Sequence, residues 1–169
     1  MKNKLIIVIN GKGGTGKDTL CNSLSAKYKI MNVSAIDPIK EIARKNGWRG
    51  EKSDKARLFL AELKRAFVNY NDLPTVYLKN KTEEFINGDA NILFVHIREA
   101  DQIESYKNAI HPHKCVTLLI KRAAVENNHV FGNPADDEVY NYSYDYVYEN
   151  NLPLEESAAA FEKLVKTIF

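Results

Sequence analysis

Gly11, Gly16 and Lys17 have the types and the spacing of a phosphate-binding loop. They match the pattern G-x-x-x-x-G-K within NGKGGTGKDTL, residues 10–20. Glycines let main-chain N–H groups turn inward around phosphate oxygens, a helix N-terminus adds partial positive charge, and the lysine reaches the β- and γ-phosphates. The apolar run before the loop and the helical pattern after it favour this interpretation over a glycine-rich turn with an exposed lysine. The predicted nucleotide-binding residues are Gly11, Lys12, Gly13, Gly14, Thr15, Gly16, Lys17, Asp18 and Thr19.

Asp18 stands where such loops usually carry serine or threonine. The usual hydroxyl ligates Mg²⁺, and a carboxylate also offers oxygen, the donor type that this ion prefers. Because a bare carboxylate would repel a triphosphate, this role requires a metal ion or Lys17 nearby. The alternative is an acidic residue in the first turn of a helix, favoured by the helix dipole. Both interpretations remain open, and Asp18 is the candidate metal ligand.

Short apolar runs alternate with amphipathic segments along the chain, which predicts a parallel sheet with helices on both faces. We expect one domain over residues 1–169, with a helical insertion at about 38–88 and a short lid at about 121–141. The predicted strands are 5–9, 32–37, 91–97, 115–120 and 144–149. The predicted helices are 17–29, 38 to about 47, one capped by Ser53 or Asp54, 74–86, 98–110 and one closing the chain from Leu154.

Composition limits the classes of function. A hydrophobic content of 44% with 27% charged residues is typical of a soluble globular protein, and the net charge of +2 does not favour nucleic-acid binding. Cys21 and Cys115 lie far apart in apolar segments, which favours reduced thiols. The sequence has no evident signal peptide and no apolar segment long enough to cross a bilayer. We expect a cytoplasmic protein that does not bind membranes.

The chain as a whole resembles the small nucleoside and deoxynucleoside monophosphate kinases, including phage and bacterial deoxynucleotide kinases with GKDT loops. The fold that this resemblance implies is the P-loop NTPase three-layer α/β sandwich with about five strands. The segments that carry the likeness are GKDT (16–19), DPIKEIARKNGW (37–48), DKARLFLAELKRAF (54–67), FVHIRE (94–99), LLIKR (118–122) and YDYVYEN (144–150).

The resemblance implies transfer of a phosphoryl group from Mg-ATP to a small phosphorylated acceptor. Such a reaction needs two molecules held in line and cations that neutralise developing charge. The predicted catalytic residues are Lys17 on the donor phosphates, Arg98 on the acceptor phosphate and Arg122 as the arginine of the lid. Arg98 could instead be a solvated arginine that pairs with Glu99 or Asp101, and Arg122 a surface cation at the end of a strand.

Asp37 and Arg57 are the further candidates for substrate binding. Asp37 can hydrogen-bond the acceptor or order a water molecule on the magnesium ion, although an aspartate before a proline at a helix start is ordinarily a cap. Arg57, like Lys64 and Arg65, lies on the predicted insertion helix. All three could line the acceptor pocket, but a charged, solvated helix face is the commoner explanation for any one of them, and we favour only Arg57 for the pocket.

His96 departs from the pattern of these kinases, which often have an aspartate near the end of the third strand. Neutral imidazole is a poor ligand for Mg²⁺. Our hypothesis is that Asp18 supplies from the loop the charged oxygen that His96 does not supply from the strand. The alternative is a protein that has lost catalysis and binds nucleotide without turnover.

A second resemblance competes with the first. KGGTGK, residues 12–17, is similar to the deviant loop of the partition and cell-division-site ATPases, in which an early lysine (here Lys12) reaches across a dimer. This likeness covers the loop alone. The expected partner is therefore a small-molecule phosphate acceptor, and the expected state is a monomer or a homodimer.

Overall fold

The centre of the fold is a sheet of five parallel strands in a computed structural model that describes residues 4–126 and 138–169. The strand order is β2-β3-β1-β4-β5, so the strand before the phosphate-binding loop lies in the middle of the sheet. Each strand overlaps a predicted one. The strands are β1 (Leu5–Asn10), β2 (Ile30–Ser34), β3 (Ile92–His96), β4 (Val116–Lys121) and β5 (Tyr146–Glu149).

Helices connect the strands. The sequence predicted Ser53 or Asp54 as the N-cap of the helix that follows them. Ser53 is the N-cap, since its side chain accepts a hydrogen bond from the Ala56 N–H. The helices are α1 (Lys17–Ser23), α2 (Asp37–Lys45), α3 (Asp54–Asn71), α4 (Leu73–Asn87), α5 (Ala100–Ala109), α6 (Ala123–Glu126) and α7 (Leu154–Ile168), with 3₁₀ turns at Leu24–Ala26 and Glu138–Asn141.

The first helix is shorter than its periodicity predicts. We expected helix over 17–29, but α1 gives way to the 3₁₀ turn at Leu24–Ala26. Ser23 and Ser25 donate their hydroxyl hydrogens to the main-chain oxygens of Leu20 and Asn22. Hydroxyl groups that bond to nearby carbonyls in this way compete with the helical hydrogen bonds of the main chain.

Apolar side chains cover both faces of the sheet. On one face Ile7 and Phe94 pack in a cluster with Leu20 of α1 and Phe161 of α7. The other face packs in the same way against α4 and α5. Phe85 of α4 and Tyr106 of α5 lie in this second cluster. Parallel strands that are buried on both faces need apolar residues in succession, which explains their continuous apolar runs. The three-layer sandwich predicted from the sequence is confirmed.

Two other expectations concern the connections. The helices α2, α3 and α4 all lie between β2 and β3, where we predicted a helical insertion. Most of the predicted lid at 121–141 lies outside the described residues, because the description stops at Glu126 and resumes at Glu138. Among the described helices, none is both long and apolar enough to cross a membrane.

Candidate active site

A cleft of about 950 Å³ opens at the carboxyl edge of the sheet. Its walls come from the phosphate-binding loop, from the ends of β1, β2 and β3, and from α2 and α3. Open parallel sheets bind ligands at this edge because the loops that follow the strands converge there. Ten of the predicted site residues line it: Gly13, Gly14, Gly16, Lys17, Asp18, Thr19, Asp37, Arg57, Arg98 and Arg122.

The phosphate-binding loop turns tightly between β1 and α1. Gly11 has φ +149°, and a Cβ atom there would lie 2.4 Å from the main-chain oxygen of Ile120 in β4. Lys17 folds back over the loop, where its ammonium group donates hydrogen bonds to the carbonyls of Gly11 and Lys12, the latter at 2.9 Å. The loop therefore holds its lysine at the start of α1, on the wall of the cleft.

Asn10 fixes the entrance to this loop and was missed by the sequence analysis. It is buried, and its amide nitrogen donates to the main-chain oxygen of Arg98 at 2.9 Å and to the Tyr144 hydroxyl at 2.8 Å. Its side-chain oxygen accepts the Gly11 N–H at 2.8 Å. A polar residue that ends an apolar strand at the sheet edge was the available signal. Asn10 thus ties the loop to the segment that carries Arg98.

Asn150 fixes the other side of the loop. Its amide nitrogen donates to the main-chain oxygen of Thr15 at 2.8 Å, and its main-chain N–H donates to the Lys121 carbonyl at 2.8 Å. The Ser157 hydroxyl donates to the Asn150 side-chain oxygen. The residues around Asn150 in the sequence give little indication of this role, since the loop that it contacts lies near the other end of the chain.

Asp18 and His96 are neighbours on the wall of the cleft. The Asp18 Oδ1 atom lies 3.9 Å from His96 Nδ1, and 90% of the Asp18 side chain is exposed against 18% for His96. Burial lowers the pKa of His96 and outweighs the attraction of the Asp18 carboxylate, so the imidazole is neutral at neutral pH. The residue that replaces the expected strand-end acid is therefore a neighbour of the loop acid.

Asp37 closes the turn between β2 and α2. It is the first residue of α2, and Ile36 occupies the N-cap position, so the capping role considered for Asp37 is wrong. Its carboxylate reaches back instead and accepts the Ser34 N–H at 2.7 Å. This bond holds a half-buried carboxylate on the wall of the cleft.

The insertion helix α3 brings basic residues to the opposite wall. Lys64 lines the cleft and donates to the Glu99 carboxylate at 2.6 Å, with only 13% and 27% of the two side chains exposed. Arg57 lies at the rim, with 68% of its side chain exposed, 3.8 Å from Asp54. Lys40 of α2 also lines the cleft and was not a candidate from the sequence. Which face of an insertion helix points inward depends on its packing.

Positive charge is concentrated in this cleft although the chain as a whole carries a net charge of only +2. Six cationic side chains line the cleft against three carboxylates. Such an excess favours a ligand with several negative charges. The cations are Lys17, Lys40, Arg57, Lys64, Arg98 and Arg122, and the carboxylates are Asp18, Asp37 and Glu99.

Lys12 points elsewhere. Its ammonium group lies 3.6 Å from Glu126 and 4.9 Å from the centre of the Tyr140 ring. Both partners belong to the same chain and flank the residues that lie outside the description. The observed contacts of Lys12 are thus intramolecular.

Comparison with models of protein families finds no match, and comparison with curated protein sequences finds none. Solved structures match nearly the whole chain. The tunicamycin resistance protein of Deinococcus radiodurans has a TM-score of 0.59 at 15% identity, with 96% of each chain covered. An APS kinase of Mycobacterium tuberculosis, in complex with AMPPNP and APS, has a TM-score of 0.56 at 10% identity, with 98% of this chain and 99% of that chain covered. Shikimate kinase from Acinetobacter baumannii, in complex with shikimate, has a TM-score of 0.55 at 13% identity, with 99% and 94% covered.

At these identities the likeness establishes the fold. The chain has the P-loop NTPase fold, with a five-stranded parallel sheet, and is similar in fold to the APS kinase and the shikimate kinase. The phosphate-binding loop occupies the turn between β1 and α1, where the fold class predicts it.

Proposed function

We propose that this protein is a kinase that transfers the γ-phosphoryl group of Mg-ATP to a small phosphorylated acceptor, a nucleoside or deoxynucleoside monophosphate. The observation that carries the proposal is a cleft in which the phosphate-binding loop lies together with basic residues from other elements. A phosphoryl donor needs the loop, and an anionic acceptor needs a second set of cations. The acceptor class comes from the resemblance of the whole chain to monophosphate kinases.

The residues divide the work between donor and acceptor. Lys17 and the main-chain amides of residues 11–19 hold the polyphosphate of ATP, and Asn10 and Asn150 keep this loop in shape. Arg98, Arg57 and Asp37 bind and orient the acceptor. Arg122, exposed at the end of β4, completes the cationic lining near the transferred group. Catalysis in this scheme comes from positioning and from charge neutralisation, since the reaction needs little covalent chemistry from the protein.

The donor set also fits a divalent cation. Mg²⁺ takes oxygen ligands and usually binds one or two carboxylates together with substrate phosphates. The carboxylate of Asp18 is exposed on the wall of the cleft, next to the lysine of the loop. When bound, the ion neutralises charge on the phosphates. Asp18 would hold the ion there.

We also propose that the protein is located in the cytoplasm, because it is an ATP-dependent enzyme in this scheme and its two cysteines are free.

The test is transfer of radiolabelled γ-phosphate from ATP to a panel of ribo- and deoxyribonucleoside monophosphates, with shikimate as a non-nucleotide acceptor. Lys17→Ala serves as the blank, and Lys12→Ala as a matched loss of one lysine from the same loop. We expect acceptor-dependent ADP release by a monomer, abolished in the first variant and retained in the second. ATP-dependent dimerisation that Lys12→Ala abolishes would instead support a partition-type ATPase. Tight ATP binding with no ADP from any acceptor would support a binding protein without turnover.

A further inference from the structure

We infer that the divalent cation at this site is bound jointly by a carboxylate oxygen of Asp18 and an imidazole nitrogen of His96, and that the site therefore prefers a first-row transition ion such as Mn²⁺ to Mg²⁺. The inference rests on the proposed function, because the cation accompanies the nucleotide. It goes beyond that function because it makes His96, which stands in place of the expected strand-end aspartate, a second ligand of the ion beside Asp18.

The first argument is distance. His96 Nδ1 and Asp18 Oδ1 are 3.9 Å apart on the wall of the cleft. Two ligands of one octahedral ion, each about 2.1 Å from it, lie roughly 3.0 Å apart when adjacent and about 4.2 Å apart when opposite. The observed separation is about 0.9 Å longer than the adjacent spacing, so a change of the Asp18 rotamer must bring the two atoms together. The Asp18 side chain is 90% exposed and thus free to adjust its rotamer.

The second argument is the orientation of the imidazole ring. His96 Nε2 lies 3.4 Å from the side-chain oxygen of Asn32, which sits on the neighbouring strand β2. An amide oxygen accepts a hydrogen bond, so this contact favours the tautomer with the ring proton on Nε2 and the lone pair on Nδ1. That lone pair belongs to the nitrogen nearer Asp18. Histidine ligands of metal ions are usually oriented in this way, by a hydrogen bond from the other ring nitrogen.

The third argument is the position of the pair relative to the phosphates. Asp18 and Lys17 line the same cleft, so an ion held by Asp18 shares that cleft with phosphates held by Lys17. Within residues 4–126 and 138–169, no group of three or more His, Cys, Asp or Glu side chains could hold a metal ion. Two protein ligands alone give weak affinity. The ion should therefore bind tightly only when phosphate oxygens complete its coordination.

The chemistry of the pair determines the preferred ion. Mg²⁺ strongly prefers oxygen, whereas imidazole suits the ions of Fe, Ni, Cu and Zn. Mn²⁺ begins the series of first-row ions whose affinity for mixed nitrogen and oxygen sites rises toward Cu²⁺, and it also accepts an octahedral set of oxygen ligands, as phosphates supply. An oxygen–nitrogen pair thus shifts the preference from Mg²⁺ toward Mn²⁺. An aspartate at position 96 would restore an all-oxygen set.

The test is electron paramagnetic resonance of Mn²⁺ on protein labelled with ¹⁵N in histidine alone, in the presence of a non-hydrolysable ATP analogue. We expect a ¹⁵N coupling to the ion in the wild type and in His113→Gln, a control at an exposed histidine. The coupling should be lost in His96→Asn. Mn²⁺ without nucleotide should bind at least about tenfold more weakly. Each variant is checked by thermal unfolding, and a fold defect in His96→Asn is met by His96→Asp, which keeps a polar side chain of similar size.

Binding of the analogue measured by calorimetry at saturating Mn²⁺ or Mg²⁺ gives the preference. We expect Mn²⁺ to support at least about tenfold tighter binding in the wild type, and His96→Asp to reverse most of that difference. Bound Mn²⁺ with no histidine coupling, or an unchanged preference in His96→Asp, overturns the inference and leaves the proposed kinase intact. Coupling without transfer to any acceptor overturns the proposed kinase and keeps the metal pair. No analogue binding with either ion overturns both.

Discussion

The side-chain amide of Asn150 donates a 2.8 Å hydrogen bond to the main-chain oxygen of Thr15. This bond joins the segment after β5 to the middle of the phosphate-binding loop. The Ser157 hydroxyl of α7 donates to the side-chain oxygen of Asn150. The Tyr148 hydroxyl in turn donates to the Ser157 carbonyl at 2.9 Å. The last two elements of the chain therefore set the shape of the loop that the first two elements build.

Asn150→Ala should weaken ATP binding as well as the fold. Loss of two side-chain hydrogen bonds, one to the Thr15 oxygen and one from the Ser157 hydroxyl, reduces the free energy of unfolding by about 2 kcal/mol, and the loop loses the contact at its Thr15 carbonyl. We expect a drop of about tenfold in ATP affinity by calorimetry. Asn87→Ala is the matched control, since its amide donates to the Glu83 carbonyl at 2.9 Å far from the cleft. Equal ATP affinity in the two variants would refute the role of Asn150.

Gly11→Ala should destabilise the protein severely. The added Cβ would lie 2.4 Å from the main-chain oxygen of Ile120, a central strand atom that cannot move aside. Gly47→Ala isolates the effect of the backbone angle, because Gly47 has φ +98° and nothing lies within 4 Å of its added Cβ. Left-handed backbone at a non-glycine residue costs about 1–2 kcal/mol. Urea unfolding should show a loss near that value for Gly47→Ala and at least about 2 kcal/mol more for Gly11→Ala. Similar losses in both variants would contradict the clash.

The Lys64–Glu99 pair should contribute to stability only as a pair. The two side chains are mostly buried and lie 2.6 Å apart. Lys64→Met therefore leaves the Glu99 carboxylate mostly buried and without its ammonium partner. We expect a loss of about 2 kcal/mol for either single variant and recovery of at least half of it in Lys64→Met combined with Glu99→Leu. Lys81–Glu84 is the control, a more exposed pair one turn apart on α4, where Lys81→Met should cost less than about 1 kcal/mol. Additive losses across the Lys64–Glu99 cycle would show that the two residues do not couple.

Cys115 should resist alkylation far above the pH at which an ordinary thiol reacts. Burial raises the pKa of Cys115 to about 11, so only a small fraction is thiolate at pH 8. The rate of iodoacetamide labelling in Cys21→Ser should rise about tenfold per pH unit up to pH 10 without a plateau. The unfolded thiol ionises near pH 8.5, so stability from the protonated thiol is present below that pH. It is lost as the pH rises toward 11. Cys115→Ser should remove this contribution to the fall in the free energy of unfolding at alkaline pH. A labelling rate that reaches a plateau near pH 8.5 would argue against burial of the thiol.

The sequence predicted the elements whose signal is local. Each of the five predicted strands overlaps an observed one, and residues placed just after strand ends, such as Arg98 and Arg122, line one cleft because parallel strands end at one edge. Residues whose role depends on a distant partner escaped prediction. Asn150 contacts a loop 135 positions earlier, and nothing in its neighbours specifies that contact. Lys64 was considered but not favoured, and Lys40 was not considered, because the rotation of α2 and α3 about their axes is decided by packing.

The ammonium group of Lys17 rests on two carbonyls of its own loop, those of Gly11 and Lys12. An incoming ligand must therefore displace peptide dipoles before it gains the lysine. A single small anion would exchange one favourable contact for another and gain little. A polyphosphate chain can contact several main-chain amides of the loop as well. We therefore expect the unliganded loop to bind orthophosphate much more weakly than a polyphosphate.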